Sequence, residues 1–333
     1  MNEIQHLYII GNGFDIYHGI NSRYENYEQW LLKNHPNILN DIIEKYGYWN
    51  GKEEKNYFWS DFENNLAEID IIEQAKILAN NNSPDYSSDH FSRDFHSSQI
   101  DARFQYETLV SKIKESFGDW IKSLNDPTEI YLPIETKQSF FITFNYTLTL
   151  EKHYRVTPEK VFHIHGSVLD NQFVLGHGKS REELEKDNSL EDETPQNMDT
   201  DKLQEYYESN YDIFIQQAYD EIIEQLSSLQ KDVQQIIKKH LLLFEKLKNI
   251  SHVHVYGLSF SEIDLPYLNL IHEKSPMASW EISYFSENDT KKINSFLKSN
   301  NIQPNRFRLL KLSELIHPHQ MKIEFDDVNE EEG

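Results

Sequence analysis

The 333-residue chain contains no cysteine, which excludes disulfides and any thiolate-bound metal. It has no apolar run of about 18 residues, the length a membrane helix needs. Its first residues show no basic-then-apolar leader pattern. A cytoplasmic protein without a membrane segment is therefore the expectation. Basic residues are scarce: 32 Lys and Arg stand against 56 Asp and Glu, a formal charge of −24. Such a field repels polyanions, and basic residues adjoin only in pairs, at Lys238-Lys239 and Lys291-Lys292. Duplex nucleic acid is not an expected partner. A small anionic nucleotide is a different case, because backbone N–H groups at a helix start bind anions locally.

What is present points to an α/β protein. Apolar residues make up 38% and aromatic residues 13% of the chain, enough for a substantial core. His6 to Ile10 (HLYII) breaks at Gly11-Asn12-Gly13 before helical periodicity sets in, which reads as strand, tight turn and helix. That is the first-strand position of a nucleotide-binding sheet, although the third glycine of the dinucleotide fingerprint is missing. Ser139 to Ser167 holds two apolar runs joined by a short helical segment. Phe140–Phe144 ends at Asn145, and Val161–Ile164 ends at His165-Gly166; this is the crossover unit of a parallel sheet. Ser251–Tyr256 closes on Gly257, and Trp280–Phe285 and Phe307–Leu310 are separated by a helix over 288–299.

Between these runs lie helices. Ser22 caps one and Pro36 starts another; Ser60 caps a third, and Tyr106 to Ile121 repeats at helical spacing. Residues 80–98 read as a polar loop or lid, Phe173–Leu175 as a weak strand, and 180–200 as an exposed acidic loop. Two long helices, 201–226 and 229–248, read as a hairpin. Ser261 caps a further helix with Asp264 in its first turn. The expected architecture is a three-layer, mostly parallel, Rossmann-like sheet. Residues 1–179 and 250–318 form the core, with the helices of 22–124 packed on it. Residues 180–249 are an inserted α-helical subdomain, and 319–333 an acidic, disordered tail.

Ligands of parallel sheets sit beyond the carboxyl ends of the strands. Gly11 to Asp15, Asn145, His165 and Gly257 all follow expected strands, so they gather at one edge. Singly, each has a structural alternative: Asn145 as a helix cap, His165 as a core histidine, Asp15 and Asp264 as partners of helix dipoles. His163 and His165 form an H-x-H pair that in a strand faces one side, with His18, His177, Asp15 and Asp264 as further ligands for a metal. Ordinary alternation with Phe162 and Ile164 also accounts for His163, and no metal is the expectation.

As a set, LYIIGNGFD, FITFNYT, HIHGS, LGHG and GLSFSEID resemble the AbiH abortive-infection family of bacterial phage-defence proteins, in order from residue 7 to 264. The same stretches are similar to a divergent sirtuin-type NAD-binding fold. Gly11-Asn12-Gly13 with Gly19-Ile20 resembles the sirtuin G-A-G and G-I, Thr143-Phe144-Asn145 its T-Q-N, His165-Gly166 its H-G, and Gly257-Leu258-Ser259 its G-T-S. Thr147 stands where sirtuins carry Asp, Asn21 replaces a Pro, and the zinc module is absent.

The resemblance implies an effector that hydrolyses NAD+ on infection, with NAD+ as substrate rather than resident cofactor. It casts Asn145 and His165 as catalytic, and Gly11, Asn12, Gly13, Asp15, Thr143, Gly166, Gly257 and Ser259 as nucleotide-binding. A phage-derived trigger and a homo-oligomer are implied as well. The competing expectations are a metal-dependent nuclease or phosphohydrolase, and a non-catalytic nucleotide sensor.

Overall fold

The computed structural model describes residues 4–47, 57–82, 95–168, 173–189, 212–248 and 250–316. Six strands, β1 (His6–Ile10), β2 (Ser139–Thr143), β3 (Val161–His163), β4 (His252–Tyr256), β5 (Ser279–Ser283) and β6 (Phe307–Leu310), form one sheet. Their order is β3-β2-β1-β4-β5-β6, and every pair is parallel. Each strand lies within two residues of its expected bounds.

The register decides where the strands end. Ile10 lies level with Thr143 on one side and Tyr256 on the other, and Thr143 lies level with His163. The chain therefore leaves β1, β2, β3 and β4 at one height. From β1 the order runs outward in both directions, so the β1 and β4 exits flank the point where it reverses.

HLYII reads as an unbroken apolar run because β1 is buried on both faces. Leu7 and Ile9 join a core with Ile142, Val253, Val255, Trp280 and Ile282. Tyr8 and Ile10 join another with Phe14, Phe141, Leu150 and Tyr256.

The chain divides into two compact units: Met1–Asn26 with Gly118–Phe173 and Asp232–Gly333, and Tyr27–Phe117 with Val174–Lys231. The first holds the whole sheet. In the second, Ala218, Ile222, Ile223 and Leu226 of the helix Ile213–Ser227 share a core with Ala75 and Leu78 of the helix Ile71–Asn81.

Several local expectations are corrected. The run read as the second arm of a hairpin is two short helices, Val233–Lys239 and Leu241–Lys246. Phe244 and Leu247 of that region pack with Tyr267, Leu268 and Ile271, in the sheet-bearing unit. Apolar periodicity located both helical stretches, but it does not encode which partner each one covers. Part of the expected acidic loop is the helix Arg181–Asp187, fixed by a capping box in which Ser180 and Glu183 cross-bond. Phe173–Leu175 is not a strand; its continuation makes a single parallel bridge, His177 to Gln230. Ser22 and Ser60 bond Asn12 and Tyr57 instead of capping helices. Most of 80–98, residues 190–211 and the acidic tail lie outside the described residues.

Candidate functional site

The β1 and β4 exits are clasped by glycines. Gly257 adopts φ +68°, a left-handed conformation that favours glycine, and a Cβ there would lie 2.1 Å from the Phe14 nitrogen. Cβ atoms on Gly11 and Gly13 would lie 2.6 and 2.8 Å from the Gly257–Leu258 backbone. The Gly13 N–H donates to the Gly257 carbonyl at 2.8 Å, and the Phe14 N–H to the Gly11 carbonyl at 2.9 Å. Ser283 at the end of β5 accepts the Gly257 N–H at 2.8 Å. These glycines are thus needed for backbone to pack on backbone. The Gly13 N–H is committed within the protein rather than presented to a phosphate.

Asn145 stands at the centre of the edge, 6% exposed. Its amide Nδ2 donates to the Gly11 carbonyl at 3.1 Å, and its backbone N–H to Thr143 Oγ1 at 3.1 Å. Its Oδ1 is buried and has no hydrogen-bond partner among the described residues. A buried polar atom in this state costs free energy unless something fills the place.

Asp15, in the first turn of the helix Asn12–Tyr17, is 1% exposed. Thr147 donates to one carboxylate oxygen and Thr149 to the other, the latter at 2.7 Å. Burial pushes its carboxyl up to about 6, against the hydrogen bonds from Thr147, Thr149 and Asn145 and the charge of His163.

His163 closes β3. Its Nδ1 lies 3.1 Å from the Asn145 carbonyl and its Nε2 2.7 Å from Glu151 Oε1. Both ring nitrogens are thus engaged by oxygen atoms, one of the Asn145 backbone and one of the Glu151 side chain. The H-x-H alternation stops here: β3 ends at His163, and His165 lies in the turn before Gly166, whose φ is +81°. His165 is buried against Phe144 and Tyr146, the two neighbours of Asn145, with the Phe144 ring centroid 5.5 Å away.

The other expected residues scatter in role. Asn12 is tied to Ser22, its Oδ1 accepting the Ser22 hydroxyl at 2.6 Å and its Nδ2 donating to the Ser22 carbonyl at 2.9 Å. Ser259 is exposed beyond the β4 turn. Asp264 accepts the Ser261 hydroxyl at 2.7 Å, just ahead of the helix Leu265–Lys274. His18 donates from Nδ1 to the Phe14 carbonyl and accepts the Tyr154 hydroxyl at Nε2, so it is a neutral core histidine.

Sequence reasoning missed Glu151 and Thr149. Their signal was position: a crossover helix starting just after β2 puts its first turn over the same edge as the β3 exit. Among the described residues no group of three or more His, Cys, Asp or Glu is arranged to hold a metal ion.

A family model described as "Bacteriophage abortive infection AbiH" matches residues 7–285, which takes in every residue of this edge. Comparison with curated proteins returned no match.

Proposed function

The chain belongs to the AbiH family of bacteriophage abortive infection, and we propose that it acts there as an NAD+ glycohydrolase, cleaving the nicotinamide–ribose bond at the carboxyl edge of its sheet. The observation that carries this reading is the strand order, β3-β2-β1-β4-β5-β6, with Asp15 following β1 and Asn145, at the end of β2, bonded to the Gly11 carbonyl beside the point where the order reverses. That order is the one of doubly wound, Rossmann-like dinucleotide-binding sheets, which take their ligand there. The likeness of the edge motifs to sirtuins favours NAD+ over other nucleotides.

In the reaction, the bond from the anomeric carbon to the nicotinamide nitrogen breaks and its electron pair leaves with the neutral nicotinamide. Water forms the new carbon–oxygen bond, and the proton it loses passes to His165. The transition state resembles an oxocarbenium ion, so the protein's task is placement more than acid assistance. The buried Oδ1 of Asn145 is suited to accept a hydrogen bond from a ribose hydroxyl or from the attacking water. The clasped Gly11–Gly257 turns hold the floor of that edge rigid, and the first N–H groups of the short helix after β1 are largely spent on it. Pyrophosphate contact therefore rests on other groups than Gly13.

Incubating wild type, Asn145→Ala and His165→Ala with NAD+, with and without EDTA, tests the reading. Wild type is expected to release nicotinamide whether or not chelator is present, and both variants to release none while remaining folded by circular dichroism. If wild type consumed no NAD+ even with phage components added, the hydrolase reading would fail. Activity lost with EDTA would point instead to the metal-dependent alternative.

A further inference from the structure

His163 touches the Asn145 backbone, and Glu151 touches His163. The His163 Nδ1–H donates to the Asn145 carbonyl at 3.1 Å, and Glu151 holds the far side of the same ring at 2.7 Å. The Asn145 N–H is held by Thr143, and Nδ2 by Gly11 with Asp15 beside it. Every polar group of Asn145 except Oδ1 is thus fixed by a protein partner, and Oδ1 is both buried and unpartnered among the described residues. Neither Glu151 nor His163 belongs to the motifs' proposed catalytic set, and Glu151 enters the edge from the helix Thr149–Lys152.

We infer that Glu151 and His163 are a positioning pair that locks the Asn145 backbone, so that Oδ1 is held ready for the hydroxyl or water of the substrate. Neither residue acts on the substrate itself. Glu151 fixes the ring plane and tautomer of His163, as a carboxylate does for a metal-bound or catalytic imidazole. His163 in turn fixes the carbonyl of the residue whose side chain meets the ligand. Displacing such a group by about 1 Å can cost on the order of 100-fold in rate. The effect on turnover rests on the glycohydrolase reading; the effect on Asn145 itself does not.

The test pairs kinetics with a probe that needs no substrate. Glu151→Ala and His163→Ala are expected to lower kcat by roughly 10- to 100-fold with KM for NAD+ little changed. Glu151→Gln can donate its amide N–H to Nε2 and leave the Nδ1–H on the Asn145 carbonyl, so it is expected to recover most of the turnover. In asparagine-labelled protein, the side-chain amide resonance of Asn145, assigned by its loss in Asn145→Asp, should shift in both alanine variants. It should stay near its wild-type position in Glu151→Gln. Wild-type turnover with an unmoved amide and unchanged kcat in Glu151→Ala and His163→Ala overturns the pair and leaves the hydrolase reading standing. Absence of turnover in wild type overturns the hydrolase reading, and the amide resonance alone then decides the pair. If the alanine variants do not fold, Glu151→Gln against Glu151→Leu supplies the same comparison at lower cost to packing.

Discussion

Two buried titratable groups beside the β1 turn bear on stability with opposite signs. Asp15 has its carboxyl pushed from 3.8 up to about 6 by burial. The folded state therefore holds its proton more tightly than the unfolded chain does. That contribution is present below pH 3.8 and is lost as pH rises through about 6. Asp15→Asn should consequently gain stability relative to wild type at pH 8, by up to about 3 kcal/mol, and gain little at pH 3.5. Urea midpoints of the two proteins at both pH values check this; an equal difference at both would contradict it. His18 runs the other way. Burial lowers it from 6.5 to about 4, with the Phe14 carbonyl opposing. Its contribution is complete above pH 6.5 and is lost as pH falls toward 4, again up to about 3 kcal/mol. Between pH 7 and pH 4.5 the two contributions oppose each other in wild type, so His18 is read by difference: His18→Gln should gain melting temperature relative to wild type as pH falls through this range.

At the level of elements, the clasp between the β1 and β4 turns is the feature most sensitive to a single methyl group. Gly257→Ala meets both a left-handed φ of +68° and a Cβ position 2.1 Å from the Phe14 nitrogen. Backbone strain alone costs about 1–3 kcal/mol, and the clash adds to it. Gly257→Ala should therefore be poorly folded or melt far below wild type, whereas Gly47→Ala, at φ +69° with open space around it, should suffer only the strain. Circular dichroism melts of the two distinguish clash from conformation. The elements themselves were largely legible. Strand runs ending in Gly, Asn or His mark their own carboxyl ends, and Pro36 marks a helix start. The helix Arg181–Asp187 was missed because its charged surface outweighed a short capping signal, Ser180 with Glu183.

For the whole molecule, the formal charge of −24 sets the expectation. Self-repulsion at this charge should make the melting temperature rise as sodium chloride is raised from low to moderate concentration, and duplex DNA should not be retained at any salt. A melt that falls with salt, or a salt-sensitive DNA complex, would contradict it. Among the described residues no helix is long and apolar enough to cross a membrane. The division into a sheet-bearing unit and a helical one was not visible in periodicity. Amphipathic helices announce that they have a buried face, but not which distant face covers it.

The chain by itself determined that strands alternate with helices, and that Asn145 and His165 follow strand ends, because those are relations between neighbours in sequence. It also carried the motifs by which the family is shown. Only the tertiary structure decided the rest. Parallel pairing of His6–Ile10 with strands more than a hundred residues away set the order that reverses at β1. The same pairing packs the backbone of Gly11 and Gly13 against Gly257. It also brought Glu151 onto His163, a contact no local spacing encodes, because its partners meet only when β2 and β3 lie side by side.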